Sequence, residues 1–378
     1  MMKMKKLLTK FRRDLHQIPE LNFDLPETNK YLINVLEKLN FELYKTAKTG
    51  IIAYKKGKLD SSIAFRADMD ALPIEENNDV DYKSLNEGLM HACGHDAHMS
   101  ILLGFANLIS SKELLNESIV LIFQPAEETM GGAKVIIDEG VFKQFNIKKI
   151  FGIHVYPNLD EGKIGITKGI TMARSGSFEI TFNGSSAHGA MPNEGIDTIV
   201  AASNFINSMQ TIVARKIDPT ESAVISVGTI NGGTLANVIA DQTVITGTIR
   251  TFNDDVFKQI EKELNNLKIG IEASFNVLID LNVKALYPVL NNDVEIFNDV
   301  LEILKHNFEY EILKPMMTSE DFSFYLEEVP GLFMMLGTKN EKKGFTYPLH
   351  HSKFNLDEQV LLKGVELYNL IAITYKLY

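Results

Sequence analysis

Cysteine occurs once in the 378-residue chain, at Cys93, so no internal disulfide framework is available to stabilise it. No stretch approaches the roughly 20 consecutive apolar residues of a membrane-spanning helix. The basic N-terminal segment, MMKMKKLLTKFRRDLHQIPE, contains an apolar run of only two leucines, shorter than the core of a signal peptide or anchor. Basic residues are also in deficit: 38 Lys and Arg face 49 Asp and Glu, a net charge of −11 without a clustered basic stripe. Nucleic acid and anionic membrane are therefore excluded as expected partners, and a reducing cytoplasm is the compartment predicted. What the sequence does have is core material. Its 45% hydrophobic and 23% charged residues specify a folded globular protein. At 378 residues the chain exceeds what one hydrophobic core commonly serves, so two domains are expected.

Helical spacing over residues 4–17 puts Leu7, Leu8, Phe11 and Leu15 on one face, with Pro19 as the stop, and a second helix is expected over 28–39. His16 reads as a polar residue near the first helix's end. Strand-like runs follow at 50–54 and 62–65, the second leading into Arg66-Ala67-Asp68-Met69-Asp70. Residues 118–123, SIVLIF, form an apolar strand of parallel-sheet type, closed by Pro125 and followed at once by Glu127 and Glu128. A third run, 149–155, carries His154 ahead of Pro157. Three strands thus deliver acids or a histidine near their C-terminal ends, where open α/β sheets place their chemistry.

From about residue 171 the character changes. Segments 177–182 and 244–250 alternate with period two, as half-buried antiparallel strands do. Helices over 196–214 and 255–267 and strands over 223–230 and 273–281 complete an α+β unit of split βαβ type. The expected architecture is an α/β domain over 1–172 and 287–378, interrupted by an inserted domain at 173–286. Helices at 294–306 and 359–375 then surround the apolar strand 332–336.

The densest chemistry is MHACGHDAHMS, residues 90–100, which holds three histidines, one aspartate and the single cysteine. Cys93, His95 and His98 offer ligands that suit zinc, manganese or cobalt. Gly94 provides the turn that lets Cys93 and His95 face one centre. A helix over 98–110 sets this cluster at its N-terminal end. Cys-x-His is not the usual structural zinc spacing, so acids must arrive from elsewhere. In Thr318-Ser319-Glu320-Asp321-Phe322, Ser319 reads as a helix cap with Glu320 and Asp321 favouring the dipole. In Tyr347-Pro348-Leu349-His350-His351, a loop position beside proline favours ligation over core packing.

Cys93, His95, Glu128, His154 and His350 can together supply five ligands, more than one catalytic zinc takes with its water retained, so two metals sharing a ligand fit better. Two ions roughly 3.5 to 4 Å apart polarise a carbonyl and bring a shared water's pKa toward neutrality. Glu127 and Glu128 can divide the remaining work, one binding metal and the other carrying the water's proton to the leaving amine. Asp68 is then available to orient a ligand from behind.

Read in order, RADMDALP, MHACGHDAH, FQPAEE, GIHV, SSAHGAMP, IADQTVITGTIRT, MTSEDFSFY and LHHSKF resemble the amidohydrolase branch of the dinuclear metallopeptidase-like deacylases. That group includes N-acyl-amino-acid amidohydrolases, hippurate hydrolase, auxin-conjugate hydrolases and N-acetyldiaminopimelate deacetylase. The resemblance runs from about Arg12 to Asp357. It implies a mostly parallel-sheet α/β/α catalytic domain and an inserted ferredoxin-like lid that also forms a homodimer. It implies Cys93, His95, Glu128, His154 and His350 as ligands of two divalent ions, manganese, zinc or cobalt, with Cys93 shared. Glu127 is implied as general base and Asp68 as the catalytic acid residue behind the metals. His188 is implied to stabilise the oxyanion, reaching into the neighbouring subunit. Asn237 and Arg250 are implied to hold the substrate's carboxylate, a task that suits the guanidinium fork. Ser352-Lys353 stands where the family often has proline, and the spacing to Phe354 selects His350 over His351. His98 is left with a supporting role.

The expected reaction is metal-dependent removal of a small acyl group, acetyl or similar, from an N-acyl-L-amino acid. A metallo-dipeptidase or carboxypeptidase acting on short peptides is the alternative. Two readings come from other classes: Cys93 as a thiol nucleophile, which the converging acids oppose by raising a thiol's pKa, and a non-enzymatic binding protein, which the filled ligand positions oppose.

Overall fold

The computed structural model describes residues 2–114, 116–129 and 131–378, which separate into two compact units. The first comprises residues through Gly169 together with Asn291–Lys314 and Asp321–Tyr378; the second comprises Ile170–Leu290 and Pro315–Glu320.

In the first unit, helix α1 (Met2–His16) buries Leu8, Phe11 and Leu15, and α2 (Pro26–Glu37) opens on a proline whose missing N–H costs nothing there. Strands β1 (Glu42–Thr46), β2 (Gly50–Lys55) and β3 (Ser62–Asp68) precede α3 (His95–Ile109). Then come β4 (Ser118–Gln124), α4 (Gly132–Asp138), α5 (Val141–Gln144), β5 (Ile147–Asp160) and β6 (Ile164–Ile166). The second unit holds β7 (Ile170–Met172), β8 (Arg174–Asn183), α6 (Thr198–Arg215), β9 (Ala223–Gly232), β10 (Gln242–Thr251), α7 (Asp254–Phe275) and β11 (Leu278–Ala285). The chain ends through β12 (Leu290–Asn291), α8 (Val294–Asn307), β13 (Tyr310–Ile312), α9 (Phe322–Glu328), β14 (Gly331–Lys339) and α10 (Leu361–Thr374).

The large sheet runs β1-β2-β4-β3-β5-β14-β6-β13. Its centre, β4-β3-β5-β14, is parallel, as is β6-β13, while β1-β2, β2-β4 and β6-β14 are antiparallel. Every residue of β3 and β4 is buried, which is why SIVLIF reads as a continuous apolar run. The second unit has an antiparallel sheet ordered β11-β8-β10-β9. With α6 between its first two strands and α7 between its last two, this is the ferredoxin-like order. Phe178, Ile180, Phe182, Phe205, Ile245 and Phe257 form its core.

Several expectations need correction. Helix α3 begins at His95 rather than at 98. The strand expected at 273–281 starts at Leu278, because α7 continues through Phe275 and stops at Asn276, whose φ of 53° is left-handed and tolerated by Asn. Asp321, not Ser319, occupies the N-cap of α9. Its carboxylate accepts hydrogen bonds from Arg66, Gln124 and the Ala133 N–H instead of capping the helix. His16 is no bystander: it is buried, with Nδ1 2.8 Å from Asp96 and Nε2 3.1 Å from Glu76. Two carboxylates on its two nitrogens require both to carry hydrogen, and burial is outweighed by Asp96 and Glu76, so its pKa is raised. Arg12 Nε joins at 3.1 Å from Asp96, so this charged network ties α1 to the first turn of α3. Among the described residues no helix is long and apolar enough to cross a membrane.

Candidate metal centre

Strand register assembles the site. Asp68 pairs with Gln124 across β3 and β4, and Arg66 pairs with Gly152 across β3 and β5, which sets His154 level with Asp68. Pro125 ends β4, Ala126 turns with a φ of 59°, and Glu127 and Glu128 follow with their backbone N–H groups donated to Asp70 at 3.0 and 3.1 Å. Gly94 has a φ of 85°, and a Cβ there would lie 2.4 Å from the Val155 side chain, so only glycine makes this turn. It places Cys93 just before the turn and His95 as the first residue of α3.

The donor atoms then converge. His95 Nδ1 donates to the Asp70 carbonyl at 2.7 Å and His154 Nδ1 to the Val155 carbonyl at 2.7 Å, so in the neutral form of each ring Nε2 is the nitrogen that presents a lone pair. His154 Nε2 is 3.4 Å from Cys93 Sγ. Glu128 Oε1 lies 3.7 Å from His95 Nε2 and 3.4 Å from His350 Nε2. The loop carrying His350 is held in place by its N–H, which donates to the Ala92 carbonyl at 2.9 Å. Among the described residues, His95 Nε2 and Glu128 Oε1 are buried without a hydrogen-bond partner. Buried bare acceptors facing one another are costly unless a cation lies between them, and a thiol, imidazoles and a carboxylate are the donors a divalent transition ion takes. The five residues named from the sequence fit metal.

His98 is different. The Val155 N–H donates to its Nε2 at 2.9 Å, so its Nδ1 carries the hydrogen donated to Asp68 at 2.6 Å. Neither nitrogen is left to bind an ion, although Asp68, His95, His98 and His154 lie close enough to suggest one. Asp68 is also held by Arg66 Nη1 at 2.7 Å, while Arg66 Nε and Nη2 reach Gln124 at 2.9 Å and Asp321 at 2.8 Å. His351 stacks on Tyr347 and accepts the Lys353 N–H at 3.0 Å, engaged with its own loop.

The electrostatics follow from burial and these partners. Burial works to raise Asp68, but His95, His98 and Arg66 hold its carboxyl well below the usual range. Burial and neighbouring His98 and His95 push His154 down to about 3. Burial, Glu128, Glu127 and Asp68 push the Cys93 thiol well up. Burial would lower His95, yet Asp68, Asp70 and Glu128 lift it to about 10. Without a cation, the acids hold a proton on His95 and keep Cys93 a neutral thiol; a bound cation reverses both.

Sequence reasoning gave no role to Arg66 or Gln124, placed Asp70 only as one of two acids at a strand end, and read Asp321 as favouring a helix dipole. Each lies within or beside a quoted motif, yet its partner comes from an element distant in the chain: Arg66 and Gln124 both reach Asp321 at the start of α9.

In the second unit, His188 bridges to Val238, and the Gly189 N–H donates to the Asn237 carbonyl at 2.8 Å, so His188 and Asn237 are neighbours. Arg250 is not with them. It pairs with Ser175 near one end of β10, whereas Gln242 pairs with Asn183 at the other. The intervening steps of ~3.4 Å put these ends about 27 Å apart. Asn237 lies in the loop before β10 and Arg250 near the far end of that strand, so the two approach from different parts of the second unit.

The chain is 38% identical over 375 residues to thermostable carboxypeptidase 2 of Saccharolobus solfataricus, covering 97% of this chain and 95% of that one. It is 36% identical over 368 residues to N-acetyldiaminopimelate deacetylase of Lactococcus lactis subsp. cremoris, covering 95% and 96%. The crystal structure of the Bacillus subtilis YXEP protein, described as a dinuclear metal binding peptidase from the M20 family, superposes with a TM-score of 0.86 at 33% identity, covering 100% and 99%. Residues 64–374 match the model of peptidase family M20/M25/M40, and the chain belongs to that family of amide-bond hydrolases.

Proposed function

We propose that this enzyme removes a small acyl group, acetyl or similar, from an N-acyl-L-amino acid. The observation that carries the reading is the bare, buried Nε2 of His95 and Oε1 of Glu128 facing each other beside Cys93, with Glu127 next in sequence. Cys93, His95, Glu128, His154 and His350 would hold two divalent ions, of manganese, zinc or cobalt. Ions there supply Lewis acidity and a water whose pKa falls toward neutrality.

The chain's own residues do the rest. Glu127 takes the attacking water's proton and delivers it to the departing amine nitrogen as the C–N bond breaks, leaving a carboxylate and a free amino acid. Asp68, held between Arg66 and His98, keeps negative charge behind the ligands. Arg250 holds the substrate's α-carboxylate, and His188 donates to the carbonyl oxygen as charge develops there. Because these two stand at opposite ends of one sheet, the reading takes His188 from a second copy in a homodimer formed through the inserted, lid-like unit. A reducing, cytoplasmic location suits a cysteine ligand whose sulfur must stay reduced.

The deacetylase relatives support acetyl-amino acids as substrates, and N-acetyldiaminopimelate is the first to try. The carboxypeptidase relative favours a second reading, removal of a C-terminal residue from short peptides, since a carboxylate-holding Arg250 serves both. The test is release of free amino acid from a panel of N-acyl-amino acids and dipeptides by chelated protein resupplied with each metal. Glu127→Gln is expected to lose about 10²- to 10⁴-fold in kcat with metal content retained. Metal-loaded wild type silent on the whole panel, or full turnover by the variant, would sink the reading.

A further inference from the structure

We infer that Asp70 is a positioning residue that holds the proposed base and two proposed ligands in register, an inference that rests on the amidohydrolase reading. Asp70 lies two residues past the end of β3, where the chain leaves the sheet beside the end of β4. It is buried. Its Oδ1 accepts the Glu127 N–H at 3.0 Å, its Oδ2 accepts the Glu128 N–H at 3.1 Å, and its backbone carbonyl accepts from His95 Nδ1 at 2.7 Å. One residue therefore grips the peptide that carries both glutamates and fixes the tautomer and ring orientation of His95.

The turn it grips needs restraint. Ala126 precedes Glu127 with a φ of 59°, a conformation that residues with a Cβ adopt at a cost. Asp70 makes two charge-assisted contacts there, and a carboxylate is required for both, because only it presents two accepting oxygens. An asparagine would keep the shape but set an NH₂ group against one of the two N–H donors. The peptide would rotate away, carrying Glu127 from the water and Glu128 from the ion.

Asp70→Asn is compared with wild type for affinity for Zn²⁺, read by competition with a chelator, and for kcat and KM on an N-acetyl-amino acid at saturating metal. Metal binding about 10- to 100-fold weaker is expected, with a comparable fall in kcat. KM should stay within about threefold, since the groups proposed to hold the substrate are untouched. Affinity and kcat both within about twofold of wild type would overturn the inference, even if thermal stability fell, because Asp70 would then be structural only.

A second measurement needs no variant. In the wild type the Glu127 and Glu128 amides should exchange at least about 100-fold more slowly than in an unstructured peptide, and exchange at the peptide rate would overturn the contact itself. This holds even if Asp70→Asn fails to fold. Failure of the amidohydrolase reading is visible separately, as wild type that binds metal yet cleaves nothing; the affinity ratio still judges Asp70.

Discussion

Gly94→Ala attacks the site without touching a ligand. The native φ of 85° costs a residue with a Cβ about 1–2 kcal/mol. The new Cβ would lie 2.4 Å from Val155 Cγ2, closer than real contacts allow, so Val155 must move, an overpacking cost of about 1–3 kcal/mol. The sum is about 2–5 kcal/mol, or about 4–20 °C in Tm for a domain of this size. More follows from which residue is displaced. The Val155 carbonyl fixes the tautomer of His154, and the Val155 N–H fixes that of His98. Metal affinity should therefore fall by about 10- to 100-fold as well. Gly88→Ala is the control, because Gly88 has a φ of 75° with nothing within 4 Å of the added Cβ. It should cost only the backbone share of about 1–2 kcal/mol and leave metal binding alone. Tm by calorimetry and metal affinity by chelator competition on both variants decide the matter. Equal Tm shifts with unchanged metal affinity in Gly94→Ala would refute the role assigned to Val155.

His16 carries a raised pKa between Asp96 and Glu76, whose own pKa values are lowered, with Arg12, Tyr82 and His91 also facing it. The histidine's contribution to stability is complete below its unfolded value near 6.5 and is lost as pH rises through the raised folded value, whereas the two acids contribute above about pH 4 and lose it on acidification. At fixed metal saturation, wild type should lose unfolding free energy on the alkaline side more steeply than His16→Gln; parallel slopes would reject the assignment. Restoring metal to the chelated protein should raise Tm, the unfolding free energy growing with the logarithm of the metal concentration by about 2.7 kcal/mol at 100 times Kd. In the chelated protein the neutral, buried Cys93 thiol should resist alkylation, and rapid modification there would contradict the raised pKa.

The parts of this molecule legible in the sequence are those written in local patterns. SIVLIF announces a central strand because both of its faces are covered, and the glycine of Cys-Gly-His announces a turn because nothing else fits against Val155. The boundary near 273 was ambiguous because Phe275, Val277 and Ile279 alternate as a strand would, yet Ile271 is buried on α7 and Asn276 ends that helix. The three-residue strands β6 and β13 have no pattern of their own; pairing with neighbours defines them. The buried polar frame was invisible for a different reason. Arg12 meets Asp96, Arg66 meets Asp321, and Asp70 meets Glu127 across 84, 255 and 57 residues, and no local periodicity encodes contacts between elements so far apart in the chain.

The three histidines around the centre show how backbone, rather than residue type, allots the chemistry. His95 and His154 each donate Nδ1–H to a carbonyl, which leaves Nε2 bare and turned toward Cys93 and Glu128. His98 meets an N–H instead, that of Val155, which consumes its Nε2 and commits its Nδ1–H to Asp68. Exchanging a carbonyl for an N–H thus converts a ring with a nitrogen to offer into a strut. Asp68 is consequently engaged on both sides, Oδ1 by His98 and Oδ2 by Arg66, and stands 3.7 Å from His95 Nε2. Its action on the centre is therefore through its charge, which favours a cation where His95 would otherwise keep a proton.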